Sequence, residues 1–211
     1  LMHRFFRWFG LPGRLVLSVL MSLYAIILAI TVRSTGALLC MLAMLLSTLG
    51  DIILMDYKPI TGKLPASGFT AGAIAFAAAH CVYTAAYVTR IKALGSSHIN
   101  IGFYIGIALF ACSVITLFLL KSGNKKDIGK MLLLGICYLA LISTNCTTVF
   151  SYGISRGGVG YLAIAGAVSF FISDFFIALD KIGGIKLKHR TDIIWWFYPI
   201  GQILLLTSMI I

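Results

Sequence analysis

The segment GYLAIAGAVSFFISDFFIAL, Gly160 to Leu179, reads as a membrane-spanning helix with one acid inside it, Asp174. A span needs about 20 apolar residues to cross the hydrocarbon layer. An ionisable side chain at that depth costs ~2.5–3.5 kcal/mol on the translocon scale, which makes it a candidate for function. A second run, GALLCMLAMLLSTLGDIILM from Gly36 to Met55, repeats the pattern with Asp51. The chain has six acidic residues, all Asp, and two of them lie in such runs.

Working outward, the whole chain has the same character. It has 211 residues, 60% of them hydrophobic, a mean hydropathy of +1.02 and only 11% charged residues. Soluble domains carry roughly 25% charged residues, so a soluble globular fold is excluded. Seven apolar runs appear, at 14–32, 36–55, 67–89, 99–120, 128–149, 158–179 and 192–211. Pro59, Gly62, Pro65, Gly95, Gly123 and Gly183–Gly184 interrupt them. The expected fold is all-α, a polytopic transmembrane helical bundle forming one integral membrane domain over residues 1–211. No internal repeat or linker divides it.

The net charge of +11 would point to nucleic acid in a soluble chain. Here topology accounts for it, and no nucleic-acid partner is expected. With seven spans, thirteen of the seventeen Lys and Arg residues fall on the side of the N-terminus. Arg33, Arg90, Lys92 and Arg156 fall on the other. The positive-inside rule then makes the N-terminus cytoplasmic and the protein multi-pass in an inner or plasma membrane. The basic, aromatic opening LMHRFFRWFGLP suits a short segment at the membrane surface.

In that topology several polar side chains share the cytoplasmic third. Asp51 and Asp174 lie about one turn from the cytoplasmic ends of their helices. Tyr198 and Gln202, at i and i+4, reach the same level from the last span. His80 lies near the middle of the third span, with Phe76, Tyr83 and Tyr87 on its face. A polar cavity open to the cytoplasmic side is the expected result. Plain structural roles compete for each residue: a lone Asp can bond helices together, and Tyr83, Tyr87 and Tyr198 can be interfacial aromatics. Asp56, Asp180 and Asp192 read as solvated charges at span ends. Asn145 and its neighbours Ser143, Thr144, Thr147 and Thr148 read as a patch on the opposite face that bonds adjacent helices. Gly102 and Gly106 have GxxxG spacing, taken as general packing rather than a dimer motif, with homo-oligomerisation left open.

The chemistry follows from the acids. Two carboxyls in a low-dielectric site cannot both ionise cheaply, so one is expected to keep its proton beside a carboxylate. That division suits acid-catalysed hydrolysis through an oxocarbenium-like state. A metal hydrolase needs several His or Cys ligands, and only His80 lies in the bundle. The five cysteines sit in apolar runs without metal or redox spacing and read as small hydrophobes. Ser47 and Ser173 have no His at helical spacing, so a serine mechanism is disfavoured, and G-x-S-x-G does not occur. Intramembrane Asp, His and Tyr also serve proton-coupled transporters, the rival reading, though these often show internal repeats. An inactive lipid-binding homologue is a third.

Four strings occur in order: STLGDIIL at 47–54, AHCVY at 79–83, GAVSFFISDFFIAL at 166–179 and YPIGQIL at 198–204. Together they resemble the signature segments of the YhhN family, the lysoplasmalogenases, and the resemblance covers nearly all of the chain. It implies a membrane hydrolase that cleaves the vinyl ether of a lysophospholipid to a fatty aldehyde and a glycerophospho-base, without metal or organic cofactor. It also implies that Asp51 and Asp174 are the catalytic pair. His80, Tyr83, Tyr198 and Gln202 would support them, with Ser47 and Ser173 beside the acids. Family members usually have eight spans, so an N-terminal span is expected to be missing here. One assignment has Asp174, among Phe170, Phe171 and Phe175, as the proton donor and Asp51 directing water; the reverse is equally open. Lys58, Lys63 or Lys181 are candidates to meet the lipid phosphate, although topology alone already explains them.

Overall fold

The computed structural model describes residues 10–55, 68–120, 128–181 and 188–210. These form seven helices: α1 Leu11–Val32, α2 Thr35–Leu54, α3 Gly68–Ala93, α4 Ile101–Leu120, α5 Ile128–Arg156, α6 Gly160–Lys181 and α7 Arg190–Thr207. Each follows one of the seven apolar runs. Four of them are long and apolar enough to cross a membrane: α1, α2, α3 and α6 through Asp180. Helix α4 contributes a shorter apolar stretch, Ile101–Thr116. Helix α7 carries Arg190, Asp192, Pro199 and Gln202, which dilute its apolar character. The protein is an all-α, integral, multi-pass membrane protein.

Its surface fits that setting. Val16, Leu20, Ile27, Ile30, Ile74, Ile107, Leu119, Leu133, Tyr161 and Ile200 are large, apolar and exposed. In water such a belt would drive aggregation. Around a bundle in lipid it is the solvent-facing side.

The short connections set the helices antiparallel. Pro12 sits in the first turn of α1, where a missing N–H costs nothing. At the other end Arg33 adopts a left-handed conformation with φ 50°, and its N–H bonds Ala29 O. Ser34 then caps α2 by accepting from Ala37 N at 3.2 Å. The tight corner stacks α1 directly on α2.

Packing makes a closed ring in the order α1, α2, α3, α5, α6, α7 and back to α1, with α4 outside on α5. Helix α4 touches α5 through the face that carries Gly102, Gly106 and Ser113. A Cβ on Gly102 would run into the backbone of Phe150 and Ser151, and one on Gly106 into Thr147. The GxxxG pair is therefore used inside the chain, for close approach to α5. Asn100 bonds Ser151 O at 2.9 Å and Ser155 Oγ at 3.1 Å just before α4 begins.

The expected solvated charges are partly otherwise. Asp180 forms an ion pair with Arg190 at the junction of α6 and α7, and its side chain is only 10% exposed. Asp192 bonds His189 at 3.4 Å. Tyr87 is no interfacial aromatic: it is fully buried, bonding Leu205 O at 3.1 Å and Ser208 Oγ at 2.9 Å. Asp56, Lys58, Pro59, Gly62, Lys63, Pro65, Gly123, Gly183 and Gly184 lie outside the described residues, as do the side chain of Lys181 and most of the opening segment.

Candidate functional site

The cavity lies at one end of the ring. Its wall comes from the N-terminal ends of α1, α3 and α7 and the C-terminal ends of α2 and α6. Antiparallel helices bring those ends together. The charge bias of the sequence predicts that this end faces the cytoplasm. The cavity has a volume of about 570 Å³, and both Asp51 and Asp174 border it. Phe76, Ser173, Trp195 and Tyr198 also line it, and Arg14, Asp180 and Arg190 bring charge to it.

Both acids are buried, but they are held differently. Asp51 is 5% exposed, and its Oδ2 accepts from Ser18 Oγ at 2.6 Å and from Tyr198 OH at 2.8 Å. Among the described residues both side-chain hydrogen bonds to Asp51 fall on Oδ2 and none on Oδ1. Asp174 is 4% exposed. Its Oδ2 accepts from Tyr138 OH at 2.6 Å and contacts His80 Nε2 at 3.1 Å. Ser173 Oγ donates to Oδ1 at 3.3 Å. Donors therefore reach both oxygens of Asp174 but only one oxygen of Asp51.

His80 is fully buried and bridges two helices. Its Nδ1 lies 3.3 Å from Asn145 Nδ2, an amide that can only donate. Those roles put the proton on Nε2, facing Asp174. The hydrogen-bond network assigns this tautomer. Asn145 Oδ1 is enclosed without a partner among the described residues, as are Ser47 Oγ, Ser143 Oγ and Gln202 Nε2.

Tyr83 and Gln202 make the next layer, with Tyr83 OH donating to Gln202 Oε1 at 2.5 Å. Both are fully buried, so Tyr83 is no interfacial aromatic; nor is Tyr198, at 3% exposure. Phe170 is the hub of the site. Its ring centroid lies 4.8 Å from that of His80, 5.6 Å from Tyr198 and 6.3 Å from Tyr83. Pro199 removes one helical N–H donor from α7 beside the cavity.

Of the residues read from the sequence, Asp51, Asp174, His80, Tyr198 and Ser173 meet at or against the cavity, and Tyr83 with Gln202 packs behind them. Ser47 is buried one turn from Asp51 and makes no bond to it. Three partners were not anticipated: Ser18, Tyr138 and Asn145. Ser18 and Ser22 share one face of α1 at i and i+4, a signal that was available. Asn145 was placed on the opposite face, yet it bonds His80. The threonines of its patch behave as helix-bound hydroxyls, with Thr144, Thr147 and Thr148 each bonding the carbonyl four residues back. Among the described residues no group of three or more His, Cys, Asp or Glu side chains is placed to hold a metal ion.

The chain belongs to the YhhN family: that family's model matches residues 13–209, nearly the whole chain. No curated protein and no solved structure matches it.

Proposed function

We propose that this protein hydrolyses the vinyl ether of a lysoplasmalogen, releasing a fatty aldehyde and a glycerophospho-base such as glycerophosphoethanolamine or glycerophosphocholine. It would do so within one integral membrane domain, with Asp51 and Asp174 as its acid/base pair. The observation that carries the reading is the pair itself: two buried carboxyls, differently bonded, on the wall of one cavity. Membership of the YhhN family supports the reaction class.

The bonding difference favours Asp51 as the acid. A neutral carboxyl with its proton on Oδ1 keeps Oδ2 as a carbonyl oxygen, and that oxygen accepts from Ser18 and Tyr198. Asp174 takes the carboxylate role, since donors reach both its oxygens and one of them is an imidazole N–H. Asp51 protonates the alkene carbon remote from oxygen, which leaves an oxocarbenium ion. Water adds to the cationic carbon as Asp174 accepts its proton. The hemiacetal then collapses: its hydroxyl proton passes to Asp51, the C–O bond breaks, and Asp174 returns a proton to the departing glycerol oxygen. One water is consumed, and both acids end as they began.

The test is aldehyde release by purified protein from a vinyl-ether lysophospholipid, run with a chelator and beside the ordinary acyl lysophospholipid. The expected result is aldehyde from the first lipid, unaffected by chelator. Run in D₂O, the aldehyde should carry deuterium on the carbon next to the carbonyl. No turnover by well-folded protein would reject the reading and favour proton-coupled transport.

Tyr138 offers a sharper check. Tyr138→Phe removes one of the two bonds to Asp174 Oδ2 and leaves His80 in place. A hydrogen bond to a charged group contributes ~1.5–3 kcal/mol. We expect kcat to fall about tenfold with KM little changed. An unchanged kcat would show that Tyr138 does not position Asp174.

A further inference from the structure

We propose that Arg14 is the phosphate-recognition residue of the cavity, selecting single-chain lipids that carry a phosphate over those that do not. The inference rests on the lipid-hydrolase reading for its ligand class, while its geometry stands independently. Arg14 lines the same cavity as Asp51 and Asp174. Its guanidinium lies over the Trp195 ring, 5.6 Å from the centroid. A guanidinium in cation–π contact keeps N–H donors that can meet a phosphate.

Arg14 is also uncommitted among the described residues. Among the described residues no carboxylate lies in ion-pair contact with it, and its enclosed Nε has no hydrogen-bond partner. The other guanidinium on the cavity wall, Arg190, is taken by Asp180. Asp192 is near enough to act on Arg14 through space, and its Oδ2 lies 3.4 Å from His189 Nδ1.

Position adds a second argument. Arg14 and Ser18 sit one turn apart on one face of α1, a rise of about 6 Å at 1.5 Å per residue. Ser18 bonds Asp51, and Arg14 lies nearer the open end. From the other side, Trp195 packs edge-on against Tyr198 at 5.7 Å, and Tyr198 bonds Asp51. Arg14 is thus tied to the acid along two helices. A phosphate on its guanidinium would stand about one glycerol unit outside Asp51, the separation between phosphate and vinyl ether in the proposed substrate. The basic loop residues expected from the sequence are not required for this contact.

The test measures binding rather than turnover. A radiolabelled saturated 1-alkyl lysophosphocholine, which has no vinyl ether to hydrolyse, is compared with the matching 1-alkylglycerol on purified protein. Wild type is expected to prefer the phosphate-bearing lipid by about tenfold, the scale of one charge-assisted hydrogen bond. Arg14→Gln should abolish that preference and leave alkylglycerol binding unchanged, whereas Arg33→Gln at the opposite end should keep it. Arg14→Lys retains the charge without the guanidinium fork and should fall between. A preference that survives in Arg14→Gln, or equal loss of both lipids, would overturn the proposal. Displacement by inorganic phosphate at the lipid's own Kd would reassign the site to free phosphate and overturn the lipid claim. An Arg14-dependent preference in a protein that releases no aldehyde would keep the site and remove the vinyl-ether reading.

Discussion

Aldehyde release is expected to fall by about 10²–10⁴-fold when either Asp51 or Asp174 is replaced by Asn, the range for loss of a positioned acid or base. Asn matches Asp in shape, so the fold should survive. At position 51 its carbonyl can still accept from Ser18 and Tyr198, the two hydroxyls on Oδ2. At position 174 it can still accept from Tyr138 and His80. What Asn cannot do is give up or take a proton at the needed moment. Because both acids serve one reaction, the double variant should be hardly worse than the poorer single variant. Thermal melting of each variant within a few degrees of wild type would confirm that folding is not the cause. Near-normal turnover in either single variant, measured on folded protein, would remove that acid from the mechanism.

The fold was legible because hydropathy reports the lipid environment directly. All seven helices follow apolar runs interrupted by turn residues. Their ends were less legible. Helix α5 continues to Arg156 and α3 to Ala93, past the expected 149 and 89. Apolarity marks where the hydrocarbon stops, whereas the backbone ladder continues as long as its hydrogen bonds close. The acids, His80 and the Tyr198–Gln202 pair stood out for a related reason: such groups are costly in lipid and rarely placed there idly. Ser18 and Tyr138 are cheap in lipid, so polarity did not single them out, and only the Ser18–Ser22 spacing hinted at the first. Their importance depends on the ring order and on the rotation of α1 and α5. That order puts α3 against both α2 and α5 and leaves α4 outside, and apolar periodicity does not encode it. Asn145 shows the same limit: its polarity was visible, but its side of the helix was not.

Gly201→Val is expected to damage stability and activity together, because Gly201 sets the distance between α6 and α7. A Cβ there would lie 2.7 Å from Phe170 N and 3.0 Å from Gly166 O. Reciprocally, a Cβ on Gly166 would lie 2.9 Å from Leu205 N and 3.0 Å from Gly201 O. These are mainly backbone atoms, which cannot swing aside as a flexible side chain can. The two helices meet through glycine because small residues let backbones approach in lipid, where no hydrophobic force pulls helices together. Valine must therefore push α7 outward. Overpacking of this kind costs ~1–3 kcal/mol, or a drop in Tm of roughly 2–12 °C at ~2–4 °C per kcal/mol for a chain of this size. The catalytic loss should be larger than that drop implies. Tyr198 and Gln202 flank Gly201 on the same helix, so the shift strains the Tyr198–Asp51 and Tyr83–Gln202 bonds together. Gly68→Ala is the control for packing, since a Cβ there comes no closer than 4.0 Å to Ile53 O and should leave Tm nearly unchanged. Equal melting of the two variants in detergent, with unchanged turnover by Gly201→Val, would show that the α6–α7 contact does not set the geometry of the site.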